Sequence, residues 1–172
     1  GQWSYTEYGW TWVSEEPWGA SPYHYGRWGW EANVGGWAWV PGTTWAPAWV
    51  AWRSGGGCVG WAPLGPAGVV YSTANYWVFV QQSNIHHSHV HTVIVDQPQG
   101  VQVYRQSVVI GTQQRIRNGS GGAVAYNAGP QPSVVQSWTG QPVQPRPAAS
   151  FPSTLPRARQ SATPAARATP GY

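Results

Sequence analysis

The chain has 172 residues, of which 14 are Trp, 22 are Gly and 16 are Pro, and only 8% of its residues are charged. Globular chains carry about 25% charged residues, so we expect one domain of unusual composition followed by a tail. The longest apolar stretch, residues 69–80, is interrupted by polar side chains and falls short of the ~20 residues that a membrane-spanning helix needs, which excludes a helical membrane protein. Position 1 is not Met, so the chain is expected to begin after processing or to be a fragment.

Charge is divided unevenly along the chain. Residues 1–104 hold all five acids and two of the nine arginines, a net charge of −3, whereas residues 105–172 hold seven arginines and no acid, a net charge of +7. An acid-free segment that carries arginine can meet an anionic surface such as polysaccharide, lipid headgroups or nucleic acid. A solvated linker can have the same composition, and the charge pattern leaves both interpretations open.

The first 66 residues are dominated by a W-x-W unit. It recurs at Trp10/Trp12, Trp28/Trp30 and Trp37/Trp39. Alternate side chains of a β-strand share a face, so each unit places two rings on one side. Gly or Pro interrupts every window of helical length, which disfavours helix and favours turns between short strands. The sequence predicts an all-β fold: a small antiparallel meander or barrel of Trp-rich strands over residues 1–66.

The rings of these units are predicted to lock short strands together. A Trp side chain buries roughly 150–250 Å², and a cross-strand aromatic pair adds about 0.2–1 kcal/mol. The residues assigned this role are Trp10, Trp12, Trp28, Trp30, Trp37 and Trp39. Twelve Trp before residue 62 exceed what one small core can enclose, so some rings should lie at the surface, where they would form a binding face. The candidates for glycan contact are Trp18, Tyr23, Tyr25, Trp45 and Trp49.

The middle of the chain differs from the first 66 residues in its composition and residue pattern. Residues 67–110 are β-branched and alternating, and they predict longer strands that pack on residues 1–66 within the same domain, with a turn at residues 98–100. Residues 111–130 predict a Gly-rich connection with one strand at Ala123–Tyr126.

Residues 131–172, called here the C-terminal arm, are rich in Pro, Ala and Arg. Pro favours an extended backbone and reduces the entropy lost on docking, so the arm is expected to lie on partner subunits and to make few contacts with its own domain. Its apolar side chains would fill niches, and its arginines would meet carboxylates or anionic glycan. The residues assigned this role are Arg146, Phe151, Leu155, Arg157, Arg159, Arg167 and Tyr172.

The histidine-rich stretch of residues 85–92 is the sharpest polar feature. On a strand His87, His89 and His91 would share a face, and H-x-H spacing can supply two ligands to Zn²⁺ or Cu²⁺. Alternation places Asp96 on the opposite face, and no other Cys, Asp or Glu lies nearby in the sequence. Hydrogen-bonded or stacked histidines on an exposed strand are therefore the favoured interpretation, and no metal is predicted.

No catalytic group stands out. Glu15 and Glu16 are adjacent in a turn and diverge, which makes a poor acid–base pair, and no nucleophile or phosphate-binding motif is recognisable. Cys58, the only cysteine, is interpreted as a small buried residue. We predict that the protein is not an enzyme and uses no cofactor. Nucleic acid is not an expected partner, because the aromatic half of the chain is net acidic.

Several long motifs carry a resemblance to a known family. In order they are GWTWVSEEPWGASPYHYGRWGW, GGWAWVPG, APAWVAW, VGWAPLGP and YNAGPQPSVVQSWTGQPV. Over about residues 3–143 the chain resembles the Trp-rich domain of unknown function found in many secreted bacterial proteins, commonly downstream of a FecR-type domain. The resemblance implies export and an envelope or surface location (periplasmic, outer-membrane-associated or secreted). It implies no catalytic residue.

Together these patterns predict a non-catalytic structural or assembly component of an extracytoplasmic complex, whose C-terminal arm lies on partner subunits of the same or another chain. The alternative is a module that binds glycan, including anionic polysaccharide, through exposed Trp and Tyr.

Overall fold

The computed structural model describes residues 1–118 and 120–151. This part of the chain is mostly β-structure. Its strands are β1 (Gln2–Thr6), β2 (Gly9–Val13), β3 (Arg27–Glu31), β4 (Gly36–Val40), β5 (Val50–Gly55), β6 (Cys58–Pro63), β7 (Val78–Gln81), β8 (Val108–Ile110), β9 (Gln113–Arg117) and β10 (Ala123–Asn127). Its helices are α1 (Ala20–His24), α2 (Gln97–Gln106) and α3 (Pro132–Thr139), and none of the helices described is long and apolar enough to cross a membrane.

All strand pairs in the described residues are antiparallel, which confirms the predicted fold class. Three two-stranded sheets (β1–β2, β3–β4 and β9–β10) accompany a four-stranded sheet of order β7-β6-β5-β8. These sheets are open, so the described residues do not form the closed barrel that was one expectation. The strand predicted at Ala123–Tyr126 is β10, and its partner β9 was not foreseen.

Each of the first three hairpins places Trp opposite Trp across its two strands. The pairs are Trp3↔Trp12 in β1–β2, Trp28↔Trp39 and Trp30↔Trp37 in β3–β4, and Trp52↔Trp61 in β5–β6. Facing side chains of an antiparallel pair lie about 4.5–5.5 Å apart at Cβ, so large rings in these positions cover one face of a hairpin whose strands are only five or six residues long.

The main core is built from four of these rings. Trp3 lies 4.5 Å from Trp52, 5.3 Å from Trp61 and 5.1 Å from Trp12, measured between ring centroids. Val59, Val80 and other buried aliphatic side chains complete the cluster. Tilted and edge-to-face contacts between aromatic rings add about 0.5–1.5 kcal/mol each beyond the area they bury. Tryptophan thus replaces the aliphatic core that such short strands could not supply.

The prediction of longer strands over residues 67–110 is largely wrong. Only β7 and β8 form there, and residues 97–106 are helix α2 instead of strand. Asp96 is the N-cap of α2, since its carboxylate accepts a hydrogen bond from the Gln99 backbone N–H at 3.0 Å, and Pro98 occupies the first turn. Both are strong helix-start signals, and they outweigh the alternation of valines that follows.

The first half of the C-terminal arm folds back on its own domain. Residues 132–139 form α3, which ends at Gly140 with a left-handed φ of 69° and buries Val135. Beyond it the Arg146 N–H donates to the Tyr5 carbonyl at 2.9 Å, and Phe151 is only 7% exposed. The expectation of few contacts with its own domain is therefore wrong for residues 131–151. Residues 152–172 lie outside the part that the structure describes.

Candidate functional site

An open cavity of about 330 Å³ lies where the first three hairpins meet. We call it the aromatic cleft. Its aromatic lining consists of Trp3, Trp12, Tyr23, Trp28, Trp37, Trp49 and Trp61, and the remaining lining residues are Pro, Gly, Ala and Val. The cleft has the size of a small-molecule or peptide pocket, and no charged side chain lines it.

Hydrogen bonds to the backbone fix two of the indoles in the cleft wall. The Trp28 Nε1–H donates to the Pro22 carbonyl at 2.8 Å, and the Trp49 Nε1–H donates to the His24 carbonyl at 3.0 Å. Their polar edges are thus satisfied within the protein. The surface that remains for a ligand is apolar and is fixed in place before anything binds.

One rim of the cleft carries an exposed aromatic stack. Trp18 is 58% exposed, and its ring lies 6.1 Å from that of Tyr23 at an interplanar angle of 23°. Burial, assisted by the negative charge of Glu16, raises the pKa of the Tyr23 phenol. This rim therefore offers a flat ring face with a carboxylate near it.

At Trp37 the cleft continues into a cluster of four rings, formed by Trp30, Trp37, Tyr71 and Tyr76. Trp37 lies 5.2–5.6 Å from each of the other three centroids. The Tyr71 hydroxyl donates to the Trp28 carbonyl and accepts from the Trp30 N–H, which ties the residues after β6 to hairpin β3–β4. Trp37 belongs to both the cluster and the cleft, so the aromatic surface is continuous.

The six predicted lock residues differ widely in their burial. Trp10 is fully buried and donates its Nε1–H to the Pro130 carbonyl at 2.9 Å. Trp12, Trp28 and Trp39 are half-buried. Trp30 and Trp37 remain 36% and 37% exposed. The W-x-W units therefore contribute both to the interior and to the surface of the cleft.

The predicted glycan contacts are also divided. Trp18 and Tyr23 lie at the cleft rim, whereas Tyr25 and Trp45 are half-buried, and Trp45 packs 4.9 Å from Tyr8. Trp49 is only 4% exposed, and the Arg27 guanidinium covers its ring at 3.4 Å. The expectation that Trp49 presents a free face to a glycan is therefore wrong, because a cation already occupies that face.

The histidines do not form the strand face that was predicted. Residues 82–84 and 90–92 are short 3₁₀ turns, so His87, His89 and His91 do not alternate on a strand. The His89 Nε2 lies 3.5 Å from a Glu15 carboxylate oxygen. Within residues 1–118 and 120–151, no group of three or more His, Cys, Asp or Glu is placed to hold a metal ion. Cys58 is buried, which raises the pKa of its thiol.

The structure describes only two of the residues that were predicted to act in the C-terminal arm, Arg146 and Phe151. Arg146 places its guanidinium 4.8 Å from the ring of Phe151. Leu155, Arg157, Arg159, Arg167 and Tyr172 lie outside the described residues.

Several residues of the aromatic cleft and of the rings next to it were not predicted from the sequence. Trp3, Trp52 and Trp61 belong to no W-x-W unit, yet they form the floor of the Trp core. A usable signal was present, since Trp52 and Trp61 are spaced almost symmetrically about the Gly55-Gly56-Gly57 turn, as cross-strand partners must be. Tyr71 and Tyr76 had no such signal, because they reach hairpin β3–β4 only through tertiary folding.

Comparison with known proteins gives one family match, and it covers the part of the chain that forms most of the aromatic cleft. Residues 1–68 match a family described as a family of unknown function (DUF6600). The match includes strands β1–β6 and most of the aromatic cleft. No curated protein and no solved structure matches the chain. The resemblance to a Trp-rich domain of unknown function is thus confirmed for residues 1–68.

Proposed function

We propose that the protein is a non-catalytic assembly component that works outside the cytoplasm, in which the aromatic cleft receives a proline-containing segment of a neighbouring subunit. The observation that carries this proposal is the cleft itself, a fixed and apolar surface left open on the molecule. Contiguous exposed apolar surfaces of this kind mark interaction sites in soluble domains. Trp and Tyr are also enriched among the few residues that dominate the binding energy of protein interfaces.

The chemistry of the lining favours binding over catalysis. Apart from the Tyr23 phenol, no side chain that lines the cleft can transfer a proton or act as a nucleophile. The pKa of Tyr23 is raised, so it stays protonated near neutral pH. Aromatic-lined grooves of this type recognise extended Pro-rich segments, whose conformation is largely fixed before they bind.

The chain itself contains a segment of this chemistry. Residues 152–172 include four Pro and three Arg and no acid. The side-chain carboxylates of Glu16, near the Trp18–Tyr23 rim, and of Glu31, at the end of β3, are exposed and make no ion pair or hydrogen bond with another described residue, so they complement arginine. Because one chain carries both the cleft and such a segment, a second copy is the simplest partner.

The test is the mass of the full-length protein measured by analytical ultracentrifugation. We expect self-association that a synthetic peptide of residues 152–172 disrupts, while a peptide with Arg157→Glu and Arg159→Glu does not. Tyr23→Ala should weaken association, and Val34→Ala, which removes an exposed apolar side chain outside the cleft, should not. The proposal is contradicted if the protein stays monomeric at all concentrations, or if the peptide leaves its self-association unchanged.

The exposed Trp18–Tyr23 stack favours a second candidate, a glycan-binding module. Flat exposed rings suit the apolar faces of sugars, and the arginine-rich end of the chain suits an anionic polysaccharide. This alternative is preferred if the peptide has no effect and Trp18→Ala abolishes retention on an acidic polysaccharide column.

The proposed location outside the cytoplasm, in the periplasm, at the outer membrane or in the medium, rests on the resemblance to secreted bacterial proteins. The association with a FecR-type domain belongs to the same proposal.

A further inference from the structure

A second cavity, of about 240 Å³, is lined by the start of β3 and by the segment that follows β4. We call it the Arg27 pocket. Its polar side chains are those of Arg27, Thr43 and Thr44, and the other lining residues are Gly, Pro, Ala and Val. Among the described residues, no Asp or Glu lines it. The pocket shares only Gly26 with the aromatic cleft, so the two cavities can be tested separately.

Arg27 is a half-buried cation that makes no ion pair with a described carboxylate. Its Nη1–H donates to the Gly26 carbonyl at 2.8 Å, and one face of the guanidinium lies on the Trp49 ring. These contacts leave the edge formed by Nε and Nη2 without a partner among the described residues. Burial lowers the pKa of Arg27, yet a guanidinium stays charged at neutral pH. Since a charge removed from water is costly unless an opposite charge or hydrogen bonds compensate, this edge is suited to bind an anion.

The two segments that line the pocket are held together before any ligand binds. A Cβ atom on Gly42 would lie 2.8 Å from the Gly26 Cα, so only glycine permits the segments to approach this closely. Gly26 directly precedes Arg27 and Gly42 directly precedes the two threonines, so this contact places the cation next to the hydroxyls. The Ala46 N–H donates to the His24 carbonyl at 3.0 Å and joins the same two segments a few residues away.

The polar groups of the pocket are hydrogen-bond donors grouped around one cation. The hydroxyls and the backbone N–H groups of Thr43 and Thr44 make no hydrogen bond to another described residue. Hydroxyls and the N–H groups of irregular segments both donate to anions. An Arg side chain binds two oxygens of a phosphate or a carboxylate through parallel hydrogen bonds. A carboxylate has only two oxygens, whereas a tetrahedral anion keeps further oxygens for the threonines, so the pocket favours a tetrahedral anion.

We propose that the Arg27 pocket binds a tetrahedral oxyanion, either as inorganic phosphate or sulfate or as such a group carried on a small ligand. The Nε and Nη2 edge of Arg27 binds two of its oxygens, and Thr43 and Thr44 bind the others. The Trp49 ring holds the guanidinium in position, since a cation over an indole face is attracted electrostatically. Apart from Val124, the lining lies within residues 1–68, the part that matches the family of unknown function. The inference depends neither on the aromatic cleft nor on subunit assembly.

The test is titration of the full-length protein with sodium phosphate, sodium sulfate and sodium acetate, followed by calorimetry and by the Arg27 Nε–H signal in ¹H–¹⁵N spectra. Sodium chloride is kept at about 0.15 M, where binding to exposed charges is largely screened. We expect saturable binding of phosphate and sulfate with a shift of that signal, and about tenfold weaker binding of acetate, which lacks the oxygens for the threonines. Glucose 6-phosphate distinguishes the two sources: it binds more tightly than inorganic phosphate if the group belongs to a larger ligand, and more weakly if the free ion is bound.

Variants of the pocket complete the test. Arg27→Lys keeps the charge but cannot make two parallel hydrogen bonds, so it should weaken phosphate binding at least about tenfold. Thr43→Val and Thr44→Val keep the side-chain shape and should each weaken it about threefold to tenfold. These two variants test the pocket even if Arg27→Lys destabilises the fold. The matched controls are Arg115→Lys and Thr73→Val, at exposed positions outside the pocket, and they should leave binding unchanged.

Several results would overturn the proposal. Phosphate binding without a shift of the Arg27 Nε–H signal, or binding that the threonine variants leave unchanged, would place the anion elsewhere on the protein. Acetate that binds as tightly as phosphate would show that the pocket does not select a tetrahedral anion. Absence of saturable binding of both phosphate and sulfate would show that Arg27 serves only to cover the Trp49 ring.

Discussion

At the scale of single residues, His24 shows how burial sets the chemistry of this domain. The imidazole is fully buried, its Nδ1–H donates to the Ala46 carbonyl at 2.9 Å, and its ring stacks on that of Trp45. The Nε2 atom has no partner among the described residues. Burial lowers the pKa of His24 to about 4, because a protonated ring would place an unpartnered N–H and a charge in the interior.

This pKa predicts a pH dependence of folding. The unfolded chain protonates His24 near its ordinary pKa of 6.5, whereas the folded protein does so only near 4. Between these values the unfolded state binds more protons, so the free energy of unfolding falls as the pH falls from about 6.5 to about 4 and the contribution of His24 is constant above that window. The loss should be about 3 kcal/mol.

Urea unfolding at pH 4, 5, 6 and 7 checks this prediction. His24→Phe should lose the His24 part of the pH dependence even if its absolute stability differs, while His91→Ala, an exposed control, should keep it. The same pH dependence in His24→Phe as in the wild type would show that other groups cause it.

At the scale of elements, helix α2 depends on its cap. Asp96→Ala removes the acceptor for the Gln99 N–H and should lower the free energy of unfolding by about 1 kcal/mol. Asp96→Asn keeps a good N-cap and should cost much less. Chemical denaturation of the three proteins gives the comparison, and equal losses for both variants would mean that the charge of Asp96 matters more than its hydrogen bond.

Elements also show what the sequence could and could not predict. Alternation and Gly turns predicted the first hairpins, since Trp28 and Trp39 must face each other once the turn is placed. The same alternation failed at Val101 and Val103, where the Asp96 cap and Pro98 favoured a helix. The aromatic cleft could not be predicted, because Trp12, Trp28 and Trp61 come from three hairpins whose packing no local pattern encodes.

At the scale of the whole molecule, the C-terminal arm combines a part that packs on the domain with a part, residues 152–172, for which we propose a role in assembly. Residues 141–151 are part of the fold: they bond to the outer edge of β1, the Ala148 N–H donates to a Glu7 carboxylate oxygen at 2.9 Å, and Phe151 is buried. Composition could not predict these contacts, because Pro and Arg occur throughout the C-terminal arm.

The last prediction follows from this division. Deleting residues 141–172 should lower the free energy of unfolding by at least about 3 kcal/mol more than deleting residues 152–172, because it also removes the buried Phe151 side chain and frees the Tyr5 carbonyl. The measurement is urea denaturation of both truncated proteins, with Phe151→Ala in the full chain as a milder variant. Equal stability of the two truncations would mean that residues 141–151 add nothing to the fold. The shorter deletion should abolish self-association while keeping the folded domain, since only the segment proposed to enter the aromatic cleft is lost.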